Sequence, residues 1–178
     1  MRQHYIEQII SEQEIKDKVQ NIANQIEKDY SDKTDITAIG LLKGSAIFFA
    51  DLIRNIKLDI KIDFMTVSSY GQEMVSSNNI KIINDLRIDI KGSHIIIIDD
   101  IIDTGKTLDK LIEYLKEKKP ATIKTCTLLN KPKARTQDIQ PNYQGFEIEQ
   151  DVFAVGYGID YAEKYRNKPC ISKVIIKD

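Results

Sequence analysis

Asp99, Asp100 and Asp103 lie close together, and Thr104-Gly105-Lys106-Thr107 follows directly. Neighbouring carboxylates in a cleft suit a sugar diol or a magnesium ion, since both seek oxygen acceptors. A glycine turn that opens a helix suits an anion, because free backbone N–H groups converge there and the helix dipole adds positive charge. The stretch thus carries two chemistries side by side. Gly105-Lys106-Thr107 invites comparison with a nucleotide-triphosphate loop, but that pattern needs a glycine where Asp100 stands. A carboxylate at that position would repel a triphosphate. The bland alternative, an acid-capped turn, leaves three acids at this spacing with no packing purpose. Lys43-Gly44-Ser45 is a second glycine turn between a strand and a helix, and so a second candidate anion site.

The elements that must position these turns can be read from periodicity. Ile95–Ile98 is a run of four isoleucines, the pattern of a strand buried on both faces of a parallel sheet. Its acids should then stand at the strand's open carboxyl end, because burying them unpaired is costly. Leu108, Leu111, Ile112 and Leu115 recur at helical spacing, and Pro120 ends that helix after a basic last turn. Ile36–Leu42 reads as a strand leading to Lys43, followed by a helix over 46–56 that buries Ile47, Phe48, Leu52 and Ile53. Upstream, Ser11 and Glu14 form a capping box, and Ile15, Val19, Ile22, Ala23 and Ile26 mark a helix ending near Tyr30. Ile60–Val67 and Ile80–Ile83 read as antiparallel strands joined by a polar segment, 72–79, expected to be a mobile loop. Thr122–Leu129 is a buried strand with Cys126 as a core thiol. Tyr143–Ile148 reads as a connection, Val152–Val155 as a last core strand and Ile171–Ile176 as an edge strand. His4 and His94 read as surface residues. Strands alternating with helices predict an α/β fold, a mainly parallel sheet flanked by helices, with ligands at the carboxyl ends of the strands.

At 178 residues the chain is long enough for one domain, 1–178, with a substantial core. A net charge of -1 gives no basic excess for nucleic acid. No apolar run approaches the roughly 20 residues that span a bilayer, so no membrane partner is expected. The first ten residues lack the apolar core of a signal peptide, and two cysteines fit a reduced, cytoplasmic protein.

Asp99-Asp100-Ile101-Ile102-Asp103-Thr104-Gly105-Lys106-Thr107 resembles the phosphoribosyl-pyrophosphate motif of the type I phosphoribosyltransferases, in the form carried by their hypoxanthine-guanine branch. Leu42-Lys43-Gly44-Ser45, Ser69-Tyr70, Lys131 and the segment from Phe153 to Arg166 resemble the family's other motifs. The resemblance implies the type I fold, with a small hood built from the N- and C-terminal segments. It implies transfer of a phosphoribosyl group to a 6-oxopurine, with Mg2+ as cofactor and a homodimeric or homotetrameric assembly. It further implies roles for individual residues. Lys43 and Gly44 would bind the leaving pyrophosphate, after a cis Leu42–Lys43 bond. Ser69 and Tyr70 would head a flap closing over the reaction centre. Asp99 and Asp100 would hold the ribose hydroxyls, directly or through metal. The amides of Asp103, Thr104, Gly105, Lys106 and Thr107 would cradle the 5′-phosphate, and Asp103 would relay the purine's proton. Lys131 would meet the purine's exocyclic oxygen, Phe153 would stack on the base, and the Ala154 backbone would read its edge. Ile101 and Ile159 would line the rest of the pocket. Asp160 would ligate magnesium and Arg166 would contact pyrophosphate. Asp99 departs from the many relatives with Glu there, which shortens its reach by one methylene. The competing class is a regulator with this fold that binds nucleotide or nucleic acid. Such a protein needs a basic face or an added domain, and this sequence has neither.

Overall fold

A computed structural model describes residues 3–69 and 80–177. The chain runs through β1 (His4–Ile10), α1 (Glu12–Asp29), β2 (Ile36–Leu42), α2 (Ala46–Asn55), β3 (Ile60–Ser69), β4 (Ile80–Asn84), β5 (His94–Ile102), α3 (Lys106–Glu117), β6 (Thr122–Asn130), β7 (Tyr143–Glu147), β8 (Ala154–Val155) and β9 (Ile171–Ile176). The main sheet has the order β4-β3-β2-β5-β6-β7. Only β4 is antiparallel to its neighbour. The isoleucine run explains its own continuity. Ile96 and Ile98 face the core under α1 and α2, whereas Ile95 and Ile97 face the core under α3, so no position is left for a polar residue. α1 starts as expected: the Ser11 hydroxyl accepts from the Glu14 backbone N–H, and the Glu14 carboxylate accepts from the Ser11 N–H.

Four expectations are corrected. Tyr143–Glu147 is a strand, not a connection, and pairs parallel to β6 from Cys126↔Tyr143 to Asn130↔Glu147. Its alternation is hidden because one inward position is Gly145, where a side chain would collide with the Leu128 carbonyl. The strand over 152–155 shrinks to Ala154–Val155 and leaves the main sheet. β9 is the central strand of a separate three-stranded sheet, β1-β9-β8, and not an edge strand; this small sheet is the expected hood. In α2, Ile47 is exposed and Phe49 takes the buried position. The histidines lie half-exposed, each with a hydroxyl partner. His4 meets the Tyr165 hydroxyl at 2.9 Å, and His94 meets the Thr122 hydroxyl at 2.9 Å with its ring beside Tyr30.

The strand order reverses between β2 and β5. β2 continues through α2 to β3 on one side, and β5 continues through α3 to β6 on the other. Such a switch point opens a crevice at the carboxyl ends of the two strands, and both glycine turns meet there.

Candidate active site

Pairing between β2 and β5 stops at Gly40↔Ile98, while β5 continues beside β6 to Ile102↔Asn130. Asp99 and Asp100 therefore stand where β5 has lost one neighbour, and the space beside them is a cavity of about 260 Å³. Gly44, Asp99, Asp100, Ile101, Asp103, Thr104, Gly105 and Thr107 all line it. Leu41, Leu42, Val67 and Ile102 from strand ends and Leu108 from the first turn of α3 complete the wall.

The acid pair is crowded. The Asp100 backbone N–H donates to the Asp99 carboxylate at 3.0 Å. Both groups keep some solvent contact through the cavity mouth, but surrounding protein atoms make ionisation unfavourable. Burial first, and then the charge of Asp100, pushes the Asp99 carboxyl well above the usual carboxylate range. Burial also raises Asp100, although hydrogen bonding from Asp99 and nearby backbone N–H groups, and then the Arg166 charge, offsets part of that rise. Across the cavity, Gly44 lies so close that a Cβ there would collide with the Asp100 carboxylate. A Cβ on Gly158 would in turn collide with the Gly44 carbonyl. Three chain segments thus meet with no room for a side chain at either glycine. The Leu42–Lys43 peptide is cis.

The second turn is set by Gly105, which precedes α3 with a left-handed backbone, φ +82. Thr104 is held from below, its carbonyl accepting from the Thr136 N–H at 3.0 Å. Lys106 is exposed. Beneath Gly105 packs Arg135, a residue the sequence reading did not single out. Its guanidinium donates to Asn130, while Nε and Nη1 are buried without a hydrogen-bond partner among the described residues.

The remaining residues form two groups outside that cavity. Lys131 is 8% exposed, donates through Nζ to the Gln150 carbonyl at 3.3 Å, and uses its backbone N–H to reach the Ile102 carbonyl at 2.9 Å. It therefore bridges the end of β5 to the segment leading to Phe153. Phe153 is 51% exposed, edge-on to Tyr161 with ring centres 5.3 Å apart, so it is not a core residue. Ala154 and Ile159 are buried. The second group is ionic. Arg166 donates to the Gly158 carbonyl at 2.8 Å and pairs with Asp160 at 2.8 Å. The Glu163 carboxylate, also unremarked in the sequence, lies 3.1 Å from Lys43 Nζ and 3.2 Å from Arg166 Nη2. Ser69 ends β3, and Tyr70 lies outside the described residues, as does the loop over 72–79.

Among the described residues no three His, Cys, Asp or Glu side chains form a metal-holding group. Cys126 is buried, its thiol pushed far up by burial, and offers no nucleophile. Among the described residues no helix is long and apolar enough to cross a membrane.

Comparison with known proteins gives one answer by sequence and by structure. A family model described as phosphoribosyl transferase domain matches residues 6–162. A hypoxanthine phosphoribosyltransferase of Haemophilus influenzae is 43% identical over 100% of both chains. A hypoxanthine-guanine phosphoribosyltransferase of Bacillus subtilis is 48% identical over 96% of this chain and 94% of its own. The crystal structure of a hypoxanthine-guanine phosphoribosyltransferase from Bacillus anthracis, with a HEPES molecule in its active site, superimposes with a TM-score of 0.90 at 46% identity. That match covers 95% of this chain and 98% of the other.

Proposed function

The chain belongs to the phosphoribosyl transferase family, and from that premise we propose that it joins hypoxanthine, and also guanine, to phosphoribosyl pyrophosphate. The products are IMP or GMP and pyrophosphate, and the role is purine salvage. The observation that carries the reading is the meeting of both glycine turns with the Asp99–Asp100 pair at the ends of β2 and β5. One cavity there offers an anion turn, acceptors for a diol and a second turn for a leaving anion. The regulator reading has no support, since the relatives matched over 94–100% of their length are named as transferases.

Each residue's part follows from its chemistry. The first-turn amides of α3, with the Thr104 and Thr107 hydroxyls, hold the 5′-phosphate. Asp99 and Asp100 accept from the ribose hydroxyls. Lys43 and Arg166 stabilise charge on the departing pyrophosphate. Lys131 attracts the exocyclic oxygen of a 6-oxopurine and disfavours the amino group of adenine, while exposed Phe153 stacks on the base. Asp103 takes the proton that the purine ring loses as its nitrogen attacks the sugar.

A magnesium ion fits these residues. Asp99 and Asp100 are neighbouring carboxyls that resist joint ionisation without a cation, and Asp160 stands across the site beside Arg166. Magnesium takes one or two protein carboxylates and fills its shell with substrate oxygens and water, so a three-residue cluster is not required. When bound it supplies neutralising charge at the pyrophosphate. We also infer cytoplasmic action and self-association into a homodimer or homotetramer, for which exposed Ile62 and Ile83 supply apolar surface; sedimentation equilibrium gives the assembly mass.

The test is turnover of hypoxanthine, guanine, xanthine and adenine with phosphoribosyl pyrophosphate and magnesium. Hypoxanthine and guanine are expected to react. Adenine turnover with neither of them would overturn the reading.

A further inference from the structure

The Glu163 carboxylate has an unusual setting. One oxygen lies within ion-pair distance of two cations from distant parts of the chain, 3.1 Å from Lys43 and 3.2 Å from Arg166. The backbone aims it there. Tyr161 and Lys164 exchange both N–H···O bonds of a two-residue hairpin, so Ala162 and Glu163 are its turn residues. Their φ values are +53 and +62. Left-handed φ at both central positions is the mirror-image turn that strongly prefers Asn-Gly, and a non-glycine residue held there signals a purpose other than turn propensity. Asp160 secures the turn by accepting from the Glu163 N–H at 2.8 Å.

Resting on the reading that Lys43 and Arg166 receive pyrophosphate, we propose that Glu163 is an internal anion that occupies this cation pair in the unliganded enzyme and competes with pyrophosphate for it. The competition works in both directions. The carboxylate keeps two like charges from repelling each other before substrate arrives. It must swing away when the pyrophosphate of phosphoribosyl pyrophosphate docks, and its return assists release of the product. Both side chains of the Lys43–Glu163 pair are well exposed, so the exchange needs only side-chain rotation. Glu163 touches neither the sugar nor the base; it acts through the two cations.

Glu163→Gln keeps size and hydrogen-bonding capacity but removes the charge, and Glu163→Ala removes both. Titration calorimetry of the whole protein with pyrophosphate in magnesium chloride reads the competition directly. Both variants are expected to bind pyrophosphate about three- to tenfold more tightly than the parent, the range that two exposed ion pairs can supply. The advantage should shrink at about 0.5 M salt, where exposed charges are screened. In steady state, KM for phosphoribosyl pyrophosphate should fall and KM for hypoxanthine should hold. Unchanged or weaker pyrophosphate binding in both variants would overturn the inference, because a carboxylate that merely orients the cations loses binding when removed. If the parent turns over hypoxanthine while the variants bind pyrophosphate no better, only this inference fails. If the parent neither turns over hypoxanthine nor binds pyrophosphate, the functional reading fails with it.

Discussion

Asp103 lines the cavity, between the acid pair and the Gly105 turn along the chain, and is exposed. A carboxylate there can reach a ring nitrogen of a base seated beside it. Asp103→Asn keeps the shape but cannot take a proton. We expect kcat to fall by about 10²–10⁴, with KM for phosphoribosyl pyrophosphate little changed, because the contacts proposed for the phosphate are backbone amides that the substitution leaves in place. Single-turnover measurement checks this; an unchanged chemical step would make Asp103 only a cap of the turn. At Lys131 the expected loss falls on the other substrate. The ammonium already accepts burial for one bond to Gln150, so Lys131→Ala should weaken 6-oxopurine binding by about 1.5–3 kcal/mol and spare phosphoribosyl pyrophosphate. Equal losses for both substrates would indicate a folding defect.

Asp99 makes a prediction about stability. Its folded-state pKa is raised, first by burial and then by Asp100, above the roughly 3.9 of an unfolded chain. The native state then prefers the protonated acid. Its stabilising contribution is present below about pH 4 and is lost as pH rises through the folded value. Above the unfolded value, without metal, the burial of this carboxyl increasingly opposes folding as pH rises. Asp99→Asn should therefore melt higher than the parent at about pH 7–8 in chelator, with the gain shrinking as pH approaches 4. Melting curves across that window decide it; a gain independent of pH would remove the electrostatic cause.

At the scale of elements, the site depends on β2 and β5 parting at their carboxyl ends while the Lys43 turn and the 156–158 turn close in. Gly44 sits where those segments touch, with no room for a Cβ between it and the Asp100 carboxylate. Gly44→Ala should displace Asp100 or the turn. KM for phosphoribosyl pyrophosphate is expected to rise at least tenfold, while far-ultraviolet circular dichroism stays unchanged because the strands lie behind the turn. Gly40 and Gly145 are packing glycines by contrast, their missing side chains leaving room for the Phe49 and Phe64 rings and the Leu128 carbonyl.

For the whole molecule, two apolar cores, one on each face of the main sheet, carry the fold. Isoleucines of β5 feed both of them, and no metal-holding cluster occurs among the described residues. Chelator should therefore abolish activity, and magnesium should restore it, with the melting temperature in chelator falling by no more than a degree or two. Full activity in excess EDTA would rule out a metal-assisted reaction. A large drop in melting temperature would reveal a structural ion instead.

The local sequence determined much of this protein. The isoleucine run, the two glycine turns, the Ser11–Glu14 cap and the acid pair are contiguous signals whose physical meaning does not depend on what packs against them. That is why a glycine turn suited to an anion, with acids beside it, is legible directly in residues 99–107. Tertiary structure alone decided the rest. β7 escaped notice because Gly145 replaces an apolar inward residue, and its pairing with β6 is a long-range fact. The sheet to which Val155 and Ile171–Ile176 belong was likewise undetermined, since a short apolar run carries no record of its neighbours. Glu163 and Arg135 were silent for the same reason. Each is one charged residue in a polar loop, and each gains its meaning from partners far along the chain: Lys43 for Glu163, and the glycine turn before α3 for Arg135. Periodicity records which face of an element is buried. It does not record which other segment arrives there, and a site built from several segments is defined by those arrivals.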